Sequence, residues 1–280
     1  MMTNKVEFKI VCLYFFIIAM VLLYGTGLIT KAYNYREADL AYTKKEIILE
    51  DNVLRLAFCN GYITMYHGET KFTEDSGLAC FFTVKEADYA TYKGIWKIEK
   101  FSLVELLASV RWPGLPFSQI WHILLKDEKL IWHIDLESSE DIMINLTGLV
   151  FSFKNNYQEW ANYYEQGRMP VLDVLQQRKD VRFTSVSGAV GLIASDKDAK
   201  LFPAVELSLG KGVFLNKVLL SVCRDMFSGA PFSSISVGGV EPLRVLKNSR
   251  MLLSSGEINL FDKRGDLLKN LLINKEQVEN

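Results

Sequence analysis

Hydrophobic positions follow two regimes along the chain. One long unbroken run lies near the N-terminus; from Asn52 onward apolar residues come in short stretches, many of them alternating with polar ones. The clearest alternation sits near the middle, in Trp112–Glu137, WPGLPFSQIWHILLKDEKLIWHIDLE. Two apolar runs, Ile120–Leu125 and Leu130–Leu136, flank Lys126-Asp127-Glu128-Lys129, which has the composition of a tight turn. An even-length loop sets Trp121 opposite Ile134, Ile123 opposite Trp132 and Leu125 opposite Leu130. Because side chains alternate with period 2, that register gathers Trp121, Ile123, Leu125, Leu130, Trp132, Ile134 and Leu136 on one side. The other side receives His122, Leu124, Ile131, His133, Asp135 and Glu137. Burial of two tryptophans, worth about 2–3 kcal/mol each, selects this register over a one-residue slip.

The same texture extends to both sides of the hairpin. Asn52–Cys59, Tyr62–Tyr66, Ala79–Val84, Ile95–Lys100 and Leu103–Val110 are short runs divided by Asn60-Gly61, His67-Gly68, Ser76-Gly77 and Lys93-Gly94. Turn signals at about ten-residue spacing predict an antiparallel sandwich or barrel, with Asn60-Gly61 the best hairpin turn. Asp141–Phe153 reads as one long strand. Asn155–Gly167 reads as a helix, with Tyr157, Trp160, Ala161 and Tyr164 on one face and Gly167 as C-cap. Val171–Lys179 reads as a second short helix after Pro170. Strand texture resumes in Gly188–Ala194, Ala204–Leu209, Val213–Val222, Ser233–Val237, Arg244–Leu246 and Glu257–Phe261. The tail from Asp266 to Asn280 fits a short amphipathic helix.

The long run, residues 10–30 (IVCLYFFIIAMVLLYGTGLIT), holds 21 residues without a charge. At about 1.5 Å per residue it spans roughly 31 Å, the thickness of a hydrocarbon core. A signal peptide is the competing reading, but the run exceeds an ordinary apolar region and no small-x-small cleavage site follows it. The chain therefore divides into a flank (1–9), a transmembrane helix (10–30), a juxtamembrane linker (31–51), a large antiparallel β-sandwich (52–264) with one or two short helices, and a tail (265–280). Lysines and arginines lie on both sides of the span; the expected orientation puts the sandwich outside the cytoplasm, since long domains translocate largely regardless of charge. The bilayer is thus an expected partner, through residues 10–30.

Composition narrows the function. With 49% hydrophobic and 23% charged residues the 280-residue chain is globular, and a net charge of −1 offers no basic stripe for nucleic acid. Of four cysteines, Cys12 lies in the apolar run; Cys59, Cys80 and Cys223 lack disulfide or zinc spacing and read as buried free thiols, with a Cys59–Cys80 pair across neighbouring strands as the alternative. There is no Walker loop, GxGxxG or GxSxG elbow, and neither a metal nor a cofactor is expected.

The Trp112–Glu137 run, followed by VFSFKNNYQEW at Val150–Trp160, resembles bacterial and archaeal β-supersandwich domains that are similar to the galactose mutarotase-like fold. The run NGYITMYHGETKFTEDSGLACFFT at Asn60–Thr83 and Gly94-Ile95-Trp96 fit the same pattern. Domains of that kind accompany glycosyltransferases and other surface-polysaccharide proteins, so the resemblance implies a role linked to carbohydrate.

Candidate chemistry is sparse. Only His67, His122 and His133 are present, and the hairpin register opposes His122 to His133 with Asp135 and Glu137 on the same face. Such a pair fits an acid and base, with His122, His133 and Glu137 as the catalytic candidates; it also fits the solvent side of an amphipathic hairpin. The carboxylates Asp135, Glu137, Glu140 and Asp141 are grouped, as glycoside hydrolysis requires and as any solvated strand end allows. Trp96, Trp112, Trp160, Tyr157, Tyr163 and Tyr164 outnumber what one core face needs. Trp96, Trp112 and Trp160 with Asp135 form the candidate sugar-binding set, and a sandwich core that absorbs the aromatics is the alternative. The expected protein is a membrane-anchored, extracytoplasmic carbohydrate-binding or polysaccharide-biosynthesis accessory domain without its own catalysis, with glycans or polysaccharide-assembly proteins as partners. The alternatives are a mutarotase- or lyase-like enzyme and a structural or protein-interaction module.

Overall fold

The computed structural model describes residues 46–59, 61–181, 188–210, 217–225, 228–239 and 242–279. The expected flank, transmembrane helix and most of the linker lie outside the described residues. No helix among the described residues is long and apolar enough to cross a membrane. Glu46–Asn280 is a compact unit by itself, separate from Met1–Lys45.

Its strands begin with β1 (Ile47–Asp51), β2 (Leu54–Cys59), β3 (Tyr62–His67), β4 (Thr70–Lys71), β5 (Thr73–Val84) and β6 (Ala87–Ala90). A 3₁₀ turn at Thr91–Lys93 leads to β7 (Ile95–Phe101), β8 (Glu105–Arg111), β9 (Phe117–Lys126) and β10 (Lys129–Ser138). Then come β11 (Ile142–Ile144), β12 (Leu146–Phe153), β13 (Tyr157–Ala161), β14 (Gln166–Arg168) and β15 (Arg178–Asp180). The last strands are β16 (Ala189–Ala194), β17 (Ala204–Leu209), β18 (Lys217–Arg224), β19 (Pro231–Gly239), β20 (Leu243–Val245) and β21 (Ser249–Phe261), followed by helix α1 (Arg264–Glu279). One sheet runs β1-β2-β3-β5-β12-β19-β18-β15, with β4 on β3 and β6 on β5. The second runs β14-β13-β16-β17-β21-β10-β9-β8-β7, and β11-β20 forms a small ribbon. The protein is an antiparallel β-sandwich with one short C-terminal helix. β1 extends it ahead of Asn52, where the sequence pattern starts the domain.

The central hairpin forms in the expected register, Leu125 on Leu130, Ile123 on Trp132, His122 on His133 and Trp121 on Ile134. Its loop is the two residues Asp127 and Glu128, both at positive φ (53° and 62°), the geometry that matches the twist of the flanking strands. All seven residues assigned to the apolar face are buried, with Trp132, Ile134 and Leu136 at 0% exposure. Trp132 packs on Phe151 of the facing sheet at 5.2 Å between ring centroids. The core is this inter-sheet layer, continued by Phe72, Phe153, Tyr157 and the aliphatic residues of both sheets.

Two expected helices are absent. Asn155–Gly167 forms β13 and β14, and the reason is a β-bulge between Tyr157 and Glu159. The extra residue lets Tyr157 and Trp160, three apart, both turn inward, which imitates helical spacing. Gly167 is no helix cap; it lies opposite Trp160, and a Cβ there would meet the indole at 2.9 Å. Val171–Lys179 is an irregular strap with a turn at Asp173–Gln176, ending in β15. Its apolar residues have helical spacing but no face against which to bury it. The expected strand Asp141–Phe153 is divided at Asn145 into β11 and β12, which belong to different sheets. The expected strand Val213–Val222 is described only from Lys217, as β18. The tail helix is present as α1.

Candidate functional site

The outer face of the second sheet has two halves. Over β13, β16 and β17 lies α1, whose Leu267 and Leu271 pack on Ala161, Ala189, Ile193 and Ala204. Gly191 permits this approach, since a Cβ there would meet Leu267 at 2.9 Å. The other half, carried by β8, β9, β10 and β21, holds the polar side of the central hairpin.

There His122 and His133 are cross-strand partners, and each is backed by a carboxylate on its own side. His122 Nε2 lies 3.0 Å from Glu105 Oε1, and Lys100 donates to Glu105 Oε2 at 2.6 Å. The Lys100 ammonium and then the His122 ring hold the Glu105 carboxyl below the usual carboxylate range. His133 Nε2 lies 3.2 Å from Asp135 Oδ1. Arg250 donates to Asp135 Oδ2 from Nε (3.1 Å) and from Nη2 (2.7 Å), and Nη1 donates to Glu137 Oε1 at 3.2 Å. That grip pushes the Arg250 guanidinium further above its usual range. Asp135 is only 7% exposed, although it lies on the outer side of β10. Opposite it, β21 carries an extra residue: Ile134 faces Ser254 while Asp135 faces Leu252, so Leu253 bulges between them.

The hairpin therefore brings His122, His133, Asp135 and Glu137 together as the sequence predicts. It does not make them a metal site: no group of three or more His, Cys, Asp or Glu able to hold a metal occurs among the described residues. Arg250, Glu105 and Lys100 complete the cluster and escape the sequence reading. Arg250 is more than a hundred residues away from Asp135 and Glu137, and no local pattern marks it. With Nε2–H directed at a carboxylate, each imidazole keeps Nδ1 as its second polar atom. The face thus offers paired carboxylates, a fixed guanidinium and two oriented imidazoles, groups that hydrogen-bond vicinal hydroxyls or transfer protons.

The tryptophans are placed differently from the sequence expectation. Trp96 (8% exposed), Trp112 (3%) and Trp160 (7%) are core residues without an open ring face. Trp96 Nε1 donates to Thr91 O and Trp112 Nε1 to Ala90 O, both at 2.9 Å, and Trp112 meets Phe82 edge-on at 4.6 Å. Tyr157 is buried as well, with its hydroxyl donating to Pro203 O at 3.1 Å, and burial pushes it well above the ordinary tyrosine range. Of the predicted platform only Tyr163, half-buried, and Tyr164, 46% exposed, reach the surface. The three thiols of the unit are free; Cys80 is buried, and burial pushes it up to about 12.

A cleft of about 590 Å³ opens elsewhere, at the end of the sandwich where β13, β14 and β16 approach the ends of β18 and β19. Its walls include Arg168, Arg224, Arg264 and Glu159, and the strap from Met169 to Leu172 closes one side.

No family model matches the sequence, and no curated protein matches it. Solved structures do. A galactose mutarotase related enzyme from Lactobacillus acidophilus aligns with TM-score 0.53 at 9% identity over 77% of this chain and 97% of that one. An Escherichia coli K12 protein put forward as an aldose 1-epimerase aligns with TM-score 0.54 at 10% identity, covering 77% and 98%. A GH36 α-galactosidase from Geobacillus stearothermophilus, in complex with stachyose, gives 0.50 at 10% identity over 78% of this chain and 41% of the enzyme. At such identities the likeness is one of fold, and the fold of this chain is the galactose mutarotase-like β-sandwich.

Proposed function

We propose that the protein is a membrane-anchored, extracytoplasmic carbohydrate-binding domain, an accessory to polysaccharide assembly that binds glycans on the open half of its second sheet. The observation that carries this reading is the Arg250–Asp135–His133 and Lys100–Glu105–His122 constellation on that face, in a galactose mutarotase-like fold. Charge-assisted donors and acceptors held by one another suit sugar hydroxyls, because little side-chain freedom is lost on binding. The step from this fold to a saccharide ligand is an analogy, and the site residues are what give it content. The absence of catalysis is part of the proposal. The anchor is supported by the uncharged run at residues 10–30.

The opposed imidazoles favour a second reading, an aldose-epimerase-like enzyme in which His122 and His133 exchange protons with a sugar. Both readings meet in one experiment on residues 46–280: a glycan array followed by titration calorimetry, with Arg250→Ala and His133→Ala alongside. Binding of a defined glycan that weakens at least tenfold in Arg250→Ala supports the first. Accelerated anomer exchange, read by NMR on the bound sugar and lost in His133→Ala, replaces it with the second. An array with no hits sinks both.

A further inference from the structure

The strap between β14 and β15 exposes apolar surface to an unusual degree. Val171 is 81% exposed, Val174 89% and Leu175 91%, three large aliphatic side chains within five residues. Exposed aliphatic residues scattered singly are ordinary; a group this open is a feature that marks an interaction.

The strap is tied down in this position. Arg224 of β18 reaches across to it, donating from Nε to Gln176 O (3.3 Å) and from Nη2 to Asp173 O (3.4 Å), while Nη1 holds Gly229 O at 2.8 Å. Arg224 N donates to Gln177 O and Gln176 N to Asp173 O, and at the other end Met169 N donates to Gln158 O. Lys179 Nζ reaches Val171 O at 3.4 Å. These bonds hold the strap in place while Val171, Val174 and Leu175 stay exposed.

Cations border the apolar tip. Arg168 and Lys179 stand at its two ends and Arg224 beneath it, and none of the three pairs with a carboxylate among the described residues. Nearby acids are partly engaged, Glu159 with Arg264 at 2.6 Å and Asp180 with Arg178 at 2.5 Å, and Asp173 lies within the tip itself. Aliphatic side chains flanked by arginine and lysine match the cross-section of a bilayer surface, acyl chains beneath anionic headgroups.

We infer that this strap is a second membrane contact: Val171, Val174 and Leu175 enter the interfacial layer while Arg168 and Lys179 take anionic lipid headgroups. The inference is independent of the glycan reading. It shares only its setting with the proposed anchor, and a measurement on the body alone separates the two.

Residues 46–280 form a compact unit by themselves, with two core clusters among the described residues, so the test uses that unit. The body is sedimented with vesicles of phosphatidylcholine alone and with 30% phosphatidylglycerol in them, beside Leu175→Asp, Val174→Asp and Arg168→Ala, each checked for an unchanged thermal transition. The expected result is binding to the anionic vesicles, at least tenfold weaker to neutral ones, reduced tenfold or more by either Asp variant and several-fold by Arg168→Ala. No binding to either vesicle overturns the inference and leaves the anchor reading intact. Anionic binding that persists in both Asp variants overturns it too. Inorganic phosphate that binds the body, with no binding to either vesicle, overturns the inference and assigns the cations to a free anion instead. Self-association of the body that disappears in Leu175→Asp assigns the strap to a second copy.

Discussion

At the scale of single residues the exposed half of the second sheet is a chain of pairings, and its pH behaviour follows from them. Glu105 is held low by hydrogen bonds from Lys100 and His122. Its folded carboxyl titrates below its unfolded one, so the stabilisation is present above the unfolded value, near pH 4.3, and is lost as pH falls through the lower folded value. Lys100→Ala removes the larger cause. NMR of the Glu105 side-chain carboxyl is expected to show a higher midpoint in Lys100→Ala than in the wild type, and the stability difference between the two should vanish at acid pH. An unchanged midpoint would mean that the Lys100 contact is not populated in solution. Cys80 offers an independent check on burial. With its thiol pushed up to about 12 and its side chain fully enclosed, it should stay unmodified by an aromatic disulfide reagent at pH 8 in the folded protein. It should react at once after unfolding, as peptide mapping would read.

At the scale of elements the structure divides according to what local pattern can encode. The hairpin of β9 and β10 is legible in full, because one alternation of apolar residues and one two-residue turn fix both the faces and the register. Its turn nonetheless uses non-glycine residues at positive φ. Glu128→Gly is therefore expected to stabilise the protein by about 0.5–1 kcal/mol, seen as a higher urea midpoint at constant slope. The helix α1 is legible too, through its i and i+4 leucines, but what it covers is not. Asn270 and Asn274 donate to Glu206, a fully buried carboxylate, at 2.5 and 3.2 Å, and Ser208 adds a third donor at 2.8 Å. Asn270→Ala leaves that carboxylate short of a donor, at a cost of about 1–3 kcal/mol, and Leu271→Ala opens the small core at about 2–4 kcal/mol. The helices expected at Asn155–Gly167 and Val171–Lys179 fail for physical reasons. A bulge produces helical spacing within β13, and the strap has the spacing without a surface to bury it. The site was legible only as far as the hairpin reaches. His122, His133, Asp135 and Glu137 share a face by period alone, whereas Arg250 and Glu105 arrive on other strands and depend on sheet order.

At the scale of the whole molecule the second sheet joins β21 to β10 and β17, strands far apart in sequence, so the site exists only once the complete sandwich has closed. Among the described residues both core clusters draw their buried members from residues 49–271, and Trp121, Trp132, Phe72, Phe151 and Phe153 lie within the larger one. Residues 46–280 expressed alone are therefore expected to unfold cooperatively, with a midpoint within about 3 °C of the full chain in detergent, a difference worth less than about 1 kcal/mol. The uncharged run at residues 10–30 predicts the complementary behaviour: the full chain partitions with membranes and resists extraction by alkaline carbonate, while the body alone can be washed off. A body that unfolds far below the full chain would show that the N-terminal segment contributes to the fold as well as to location. The two halves of this prediction fail separately. A full chain recovered in the soluble fraction refutes the anchor and leaves the sandwich untouched, because the sandwich is stabilised by burial between its own sheets.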